Sequence, residues 1–260
     1  MFFYSINKRD NMKQDTTKLS QIWDTKEKFY PRFKDEESIF QKDLIDITKK
    51  WGINYLNKEI LEIGCGTGAY TFLLARIAKS VDALDFSKQM LAVLKKDALK
   101  LGLSDKITCI NDDFLSFKSK KIYDIAFGAM TPALANNDSF LKFNKIAKSK
   151  IWLGWAGKRS SKIMDKVFQA HNHKLRINNT SNLLKQWLGD NNIKHKSMPL
   201  ETTWESRLSF EDMVDDQAWH LKMHKISPNR EIIKRALEEF IDKDNKILNK
   251  TDVKLEVVVW

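Results

Sequence analysis

Glu59-Ile60-Leu61-Glu62-Ile63-Gly64-Cys65-Gly66-Thr67-Gly68 decides the fold of this chain. A short apolar run leads into three glycines at alternate positions, and a helix-like segment from Ala69 to Lys79 follows at once. Glycines allow a sharp turn and a close approach of the backbone to a ligand, because no Cβ intervenes. The helix start behind them presents unpaired N–H groups to a polar or anionic partner. Strand, glycine turn and helix together mark a nucleotide-type site.

Two further strand ends extend it. Val81 to Leu84 reads as the next strand, with Asp85 at its carboxyl end, 19 residues after Gly66. An acid there can accept from both hydroxyls of a free ribose. Ile107 to Ile110 reads as a third strand, running into Asn111-Asp112-Asp113-Phe114. Asp113 can accept from an adenine amino group, with the Phe114 amide facing the ring. Loop, acid and acid thus fall at consecutive strand ends, where open α/β sheets bind ligands.

With these three motifs in order over residues 59–130, the chain resembles the class I S-adenosylmethionine-dependent methyltransferases, and loosely their small-molecule branch. The resemblance implies S-adenosyl-L-methionine as cofactor, held by Glu62, Gly64, Cys65, Gly66, Thr67, Gly68, Asp85, Phe86, Met90, Asp113, Phe114 and Gly128. The G-x-G-x-x-G/A dinucleotide pattern is also satisfied by Gly64 to Ala69, and Asp85 fits it too. Three features favour the methyl donor: the third glycine at Gly68, Glu62 two residues before the first, where the family usually has an acid near the methionine end, and Asp113.

The alternation of strands and helices implies a Rossmann-like doubly wound sheet, mostly parallel. Expected strands cover 59–63, 81–84, 107–110, 122–127 and 150–155, and expected helices 69–79 and 87–101, the latter capped by Ser87. An edge strand is expected within 193–206, with helices over 182–188, 210–223 and 230–241. Val253 to Trp260 is the natural candidate for the antiparallel C-terminal strand of the resembled family. The expected organisation is an N-terminal helical lid or extension over 1–58 and a methyltransferase domain over 59–260, with a cofactor half at 59–157 and a substrate-side half at 158–260. Residues 1–15 read as loose, and translation could start at Met1 or Met12. Trp23, Phe29, Tyr30 and Phe33 cluster around a break at Pro31.

A hydrophobic content of 42% over 260 residues suffices for a sizeable core and excludes global disorder. Two cysteines, Cys65 and Cys109, lie on or beside core strands, so a disulfide framework is not expected and a reducing cytoplasm fits. No apolar run approaches the ~18 residues of a membrane span. The net charge of +11 is uneven, with +7 in 151–200 and −3 in 201–260. Lys158, Arg159, Lys162, Lys166, Lys174 and Arg176 contribute to the basic stretch, either as a nucleic-acid footprint or as solvated helix faces.

After the fourth strand the chain reads Gly128-Ala129-Met130-Thr131-Pro132. The [DN]-P-P-[YFW] tetrad by which amino-methylating nucleic-acid enzymes grip a flipped base is absent, as is a Pro-Cys pair. Met130, Thr131, Trp155 and Tyr30 are the candidate substrate residues, with Trp204 and Arg207 weaker ones and Trp152 assigned to the core. No catalytic base can be named. His220 and His224 share an i, i+4 spacing without further ligands, so no metal is expected. The function expected is methyl transfer to a small molecule. The alternatives are an RNA methyltransferase using the 151–200 face and a cofactor-binding protein without transfer activity.

Overall fold

The computed structural model describes residues 17–27, 30, 32–157, 159–175 and 179–260. The expectations on Met1, Met12, residues 1–15, Phe29, Pro31, Lys158 and Arg176 lie outside the described residues. The chain divides into two compact units: one of Pro31–Ser160, Arg176–Trp204 and Thr251–Trp260, the other of Met1–Tyr30, Ser161–Leu175 and Glu205–Lys250.

Among the described residues seven strands form one sheet: β1 (Glu59–Ile63), β2 (Ser80–Asp85), β3 (Ile107–Asn111), β4 (Tyr123–Ala129), β5 (Ala147–Trp155), β6 (Lys196–Ser209) and β7 (Lys246–Val259). Their spatial order is β3-β2-β1-β4-β5-β7-β6. β3, β2, β1, β4 and β5 run parallel, and β7 joins β5 antiparallel. Glu201 pairs with Lys254, Thr203 with Asp252 and Glu205 with Lys250, so one index rises as the other falls and β6 is antiparallel to β7. Pro199 is tolerated because β6 is an edge strand, where a missing N–H leaves no ladder bond broken.

Period-2 alternation sorts the strand side chains onto two faces. Ile60, Ile125, Phe127, Ile151, Leu153 and Leu255 face α2 (Ile39–Lys50) and α3 (Thr71–Ile77), which contribute Leu44, Ile45 and Leu74. Leu61, Ile63, Ala126, Trp152 and Val258 face α5 (Asn137–Ile146) and α7 (Thr180–Asp190) through Phe140, Phe143, Leu184 and Trp187. Each fully buried side chain of this size contributes about 1.5–3 kcal/mol. Trp152 lies flat over Gly154, where an added Cβ would sit 1.6 Å from the indole. Trp152 is 2% exposed and belongs to the core.

α4 (Lys88–Lys100) starts where expected, Ser87 Oγ accepting from Met90 N–H at 3.2 Å. It buries Leu91, Leu94 and Ala98 against Phe72 and Ala83. α5 goes beyond the expected elements. Its start, Asn136-Asn137-Asp138, has the composition of a turn, yet Asn136 and Ser139 form a reciprocal capping box that nucleates a helix.

In the other unit residues 17–26 form a helix, α1. α6 (Lys162–Ala170), also beyond the expected elements, packs with α8 (Phe210–Met223) and α9 (Arg230–Leu237) around Met164, Val167, Phe168, Val214, Leu221 and Ile233. Ser161, Ser209 and Asn229 cap these three helices through their side chains. β7 begins at Lys246 rather than Val253, because Ile247, Asn249 and Thr251 alternate inward and extend the strand with partly polar contacts.

Candidate functional site

Four strand ends lie in register. Ile63 pairs with Leu84 and with Gly128, and Asp85 pairs with Asn111. The sheet therefore brings the glycine turn, Asp85, the 111–114 turn and the end of β4 to one edge.

The turn after β1 hangs on β2: Leu84 O accepts from the N–H groups of Gly64 at 2.8 Å and Cys65 at 3.2 Å. Gly64 has φ +68°, and a Cβ built on it would lie 2.1 Å from Thr131 Oγ1. Both backbone conformation and space demand glycine here. Gly66 N–H donates to Asp85 Oδ2 at 2.9 Å, and Ser87 N–H to Oδ1 at 2.8 Å. Two backbone donors fix this buried carboxylate. Phe86, half-buried, offers its carbonyl to Asn111 Nδ2 at 3.0 Å. Thr67 is buried in the turn, and Met90 is buried at the first turn of α4.

Glu62 is 3% exposed and accepts from Thr71 Oγ1 at 2.6 Å. Burial pushes its pKa up to about 8, against the Thr71 hydrogen bond and reinforced by the charge of Asp85. Burial also pushes the Cys65 thiol well up, with Asp85 and Glu62 adding to the effect. Cys65 is thus a protonated, buried packing thiol rather than a nucleophile.

The turn after β3 is closed by its own acids. Asp113 Oδ1 accepts from Leu115 N–H at 2.9 Å and Ser116 N–H at 3.2 Å, and Asp112 Oδ1 accepts from Asp113 N–H at 2.8 Å. The Phe114 ring is buried. Lys142 of α5, which sequence reasoning missed, braces this turn. Its ammonium donates to Leu115 O at 3.1 Å and to Phe117 O, and lies 5.1 Å from the centre of the Phe114 ring. Burial lowers the Lys142 pKa, opposed by Asp113 and Asp112. No local signal in the sequence points to Lys142, which is 25 residues from Phe117.

On the candidate acceptor side, Met130 adopts φ +51° and donates its N–H to Leu153 O at 2.7 Å, which sets Thr131 against Gly64. Trp155, half-buried at the end of β5, donates its backbone N–H to Thr180 Oγ1 at 3.3 Å, and its ring meets Trp204 edge-on at 5.9 Å. Tyr30 belongs to the other unit, against Trp23 at 6.1 Å. Arg207 also belongs to that unit, paired with Asp242 and Asp244 at 2.6 Å each. His220 faces Asp216 at 3.5 Å, while His224 meets Phe168 edge-on with ring centres 5.0 Å apart.

A parallel sheet ordered β3-β2-β1-β4-β5, closed by an antiparallel β7 and carrying a glycine turn and two acids at consecutive strand ends, defines the class I methyltransferase fold. Residues 60–147 match the methyltransferase domain family. Over 56 residues it is 38% identical to the probable cobalt-precorrin-6B C(15)-methyltransferase (decarboxylating) of Methanobrevibacter smithii, covering 22% of this chain and 30% of that protein. Over 104 residues it is 36% identical to ribosomal RNA small subunit methyltransferase A of Mesomycoplasma hyopneumoniae strain J, covering 36% of this chain and 38% of that one. The chain thus spans 30% and 38% of the length of these relatives. The YcgJ protein of Bacillus subtilis shares the fold, with a TM-score of 0.51 at 12% identity over 84% of this chain and 97% of that one. Among the described residues no helix is long and apolar enough to cross a membrane.

Proposed function

We propose that this chain is an S-adenosyl-L-methionine-dependent methyltransferase acting on a small-molecule acceptor. The observation that carries the donor assignment is the bond from Gly66 N–H to Asp85 Oδ2 at 2.9 Å, which joins the glycine turn to the acid on the neighbouring strand. The residues present fit the donor. Asp85 is the acceptor for ribose hydroxyls, Asp113 and the Phe114 N–H address the adenine edge, and Glu62 addresses the amino end. Gly64, Cys65, Thr67 and Gly68 shape the turn, with Phe86, Met90 and Gly128 around it.

When bound, the donor supplies a methyl group already activated on a sulfonium. The chain then has to align the acceptor for in-line displacement and exclude water. A general base is required only for an acceptor that must lose a proton. Met130, Thr131 and Trp155 are the residues proposed to set that alignment.

Two observations support a small acceptor. The 128–131 segment lacks a base-gripping tetrad. Basic residues of the 151–200 stretch are also engaged internally: Lys166 with Glu239 at 2.7 Å, Lys185 with Glu256 at 2.8 Å, and Arg159 over the Trp204 ring. The second reading is an RNA acceptor, favoured by the likeness to a ribosomal RNA methyltransferase and by the +7 charge of 151–200. It requires RNA affinity that falls steeply with salt.

A thermal-shift titration with S-adenosylmethionine, S-adenosylhomocysteine and NADH tests the donor assignment. The two methionine-derived ligands raise the melting temperature in a concentration-dependent way and NADH does not. A shift with NADH alone, or with none of the three, overturns it.

A further inference from the structure

Among the described residues Glu62 has one hydrogen bond and no cationic partner. It is the fourth residue of β1, is 3% exposed, and is flanked in the sheet by Ala83 of β2 and Phe127 of β4. Successive residues of a strand alternate faces, so its side chain shares the α3 side with Ile60. There Thr71, itself fully buried, donates its hydroxyl to Glu62 Oε2 at 2.6 Å. The second oxygen, Oε1, meets no donor among the described residues, and no lysine, arginine or histidine nitrogen among them lies within 4.0 Å of either oxygen. The titratable groups that face Glu62 are Asp85 from the end of β2, Cys65 from the glycine turn and Cys109 from β3. α3 supplies the Thr71 hydroxyl and β4 the Phe127 ring. The surroundings thus give this carboxyl group one hydroxyl, a neighbouring negative charge and no positive one.

A carboxylate so placed lacks both water and a counter-charge, which favours its neutral form. Burial raises the Glu62 pKa to about 8, against the Thr71 hydrogen bond and with the charge of Asp85 adding to the rise. An ammonium brought to the open oxygen supplies the missing charge and favours the ionised form instead. Resting on the donor assignment above, we propose that Glu62 is uncharged in the free protein and releases its proton to solvent when it receives the ammonium at the amino-acid end of the donor. Donor binding is then coupled to proton release, and the Thr71 hydroxyl is the positioning group that keeps Oε2 ready to carry the charge. A site that loses a proton on binding takes its ligand more tightly as pH rises. The gain continues up to the free-state value of about 8 and levels off above it.

Calorimetric titration of S-adenosylhomocysteine at pH 7, in buffers of different ionisation enthalpy, counts the protons released. The control ligand is 5′-methylthioadenosine, which keeps the adenosine and the sulfur but lacks the amino-acid end. The expected result is about one proton released per S-adenosylhomocysteine bound and none per methylthioadenosine. The affinity for S-adenosylhomocysteine rises about tenfold from pH 6 to pH 7, as the loss of one proton per site requires. Glu62→Gln, uncharged at every pH, binds S-adenosylhomocysteine without proton release and with an affinity that is nearly flat over that range. Should this variant not fold, the two ligands on the wild type decide the question by themselves. Binding of S-adenosylhomocysteine without proton release overturns the proposal and leaves the donor assignment standing. Equal release with methylthioadenosine, release that persists in Glu62→Gln, or binding of methylthioadenosine alone also overturns it. Binding of neither ligand overturns the donor assignment and the proposal with it.

Discussion

Gly66 N–H and Asp85 Oδ2 meet at 2.9 Å, and the same carboxylate accepts Ser87 N–H through its other oxygen at 2.8 Å. One buried side chain therefore fixes both the glycine turn and the start of α4. Asp85→Ala orphans both amides. The expected loss of folding stability is about 2–4 kcal/mol, from ~1–3 kcal/mol for each group left unpaired, less what water recovers. Asp85→Asn, which retains an accepting oxygen, loses less. Urea unfolding of the two variants checks the order.

Glu62 gives a pH dependence of defined sign. Its folded pKa is raised to about 8 by burial, from an ordinary value of 4.5. Between those values the folded state holds a proton that the unfolded state has released. Stability contributed at this position is therefore highest at low pH and falls as pH rises from about 4.5 to 8. Glu62→Gln is neutral throughout, so its melting temperature declines less over that window than the wild type's. A parallel decline in both proteins would show that Glu62 is ionised in the folded state.

Gly64 and Thr131 are sterically coupled. Gly64→Ala places a methyl group 2.1 Å from Thr131 Oγ1 and 2.5 Å from its Cβ, at φ +68°. The left-handed conformation costs roughly 1–2 kcal/mol, and the clash adds about 1–3 kcal/mol. Because the Thr131 Cβ itself is in the way, Thr131→Ala relieves little and Thr131→Gly relieves the clash. A double-mutant cycle on unfolding free energy should give a favourable coupling for Gly64→Ala with Thr131→Gly, and almost none with Thr131→Ala.

Lys142 links α5 to the turn after β3 through two carbonyls and the faces of Phe114 and Phe117. Lys142→Met keeps much of the stem's packing and removes the donors. The expected result is a threefold to thirtyfold loss of S-adenosylhomocysteine affinity, corresponding to about 0.7–2 kcal/mol, together with faster amide exchange at residues 113–117. Unchanged exchange there would remove Lys142 from the account of the site.

The strand ends that make up the proposed donor site were legible in the sequence because their determinants are local. Strand, glycines and helix follow one another within residues 59–79, and Asp85 and Asp113 each end a strand whose apolar run is unmistakable. Ser87 as a cap and α8 at Phe210–Met223 were legible for the same reason, since side-chain chemistry and periodicity act over a few residues. The remainder depends on distant pairs. Lys142 and Phe117 are 25 residues apart, and Trp155 meets Trp204 across two strands that β7 separates in the sheet. α5 was hidden because an Asn-rich capping box and a turn share a composition. Arg207 looked like a partner of Trp204 by nearness in sequence, but adjacent stretches of β6 contribute to different units and Arg207 is held by Asp242 and Asp244.

Calorimetric titration of S-adenosylhomocysteine into the wild type and Asp85→Asn tests the central claim most directly. One site per chain is expected, with an affinity at least about tenfold weaker in Asp85→Asn, because a neutral amide oxygen replaces a charged acceptor worth about 1.5 kcal/mol or more. No heat in the wild type, or equal affinity in the two proteins, would contradict it.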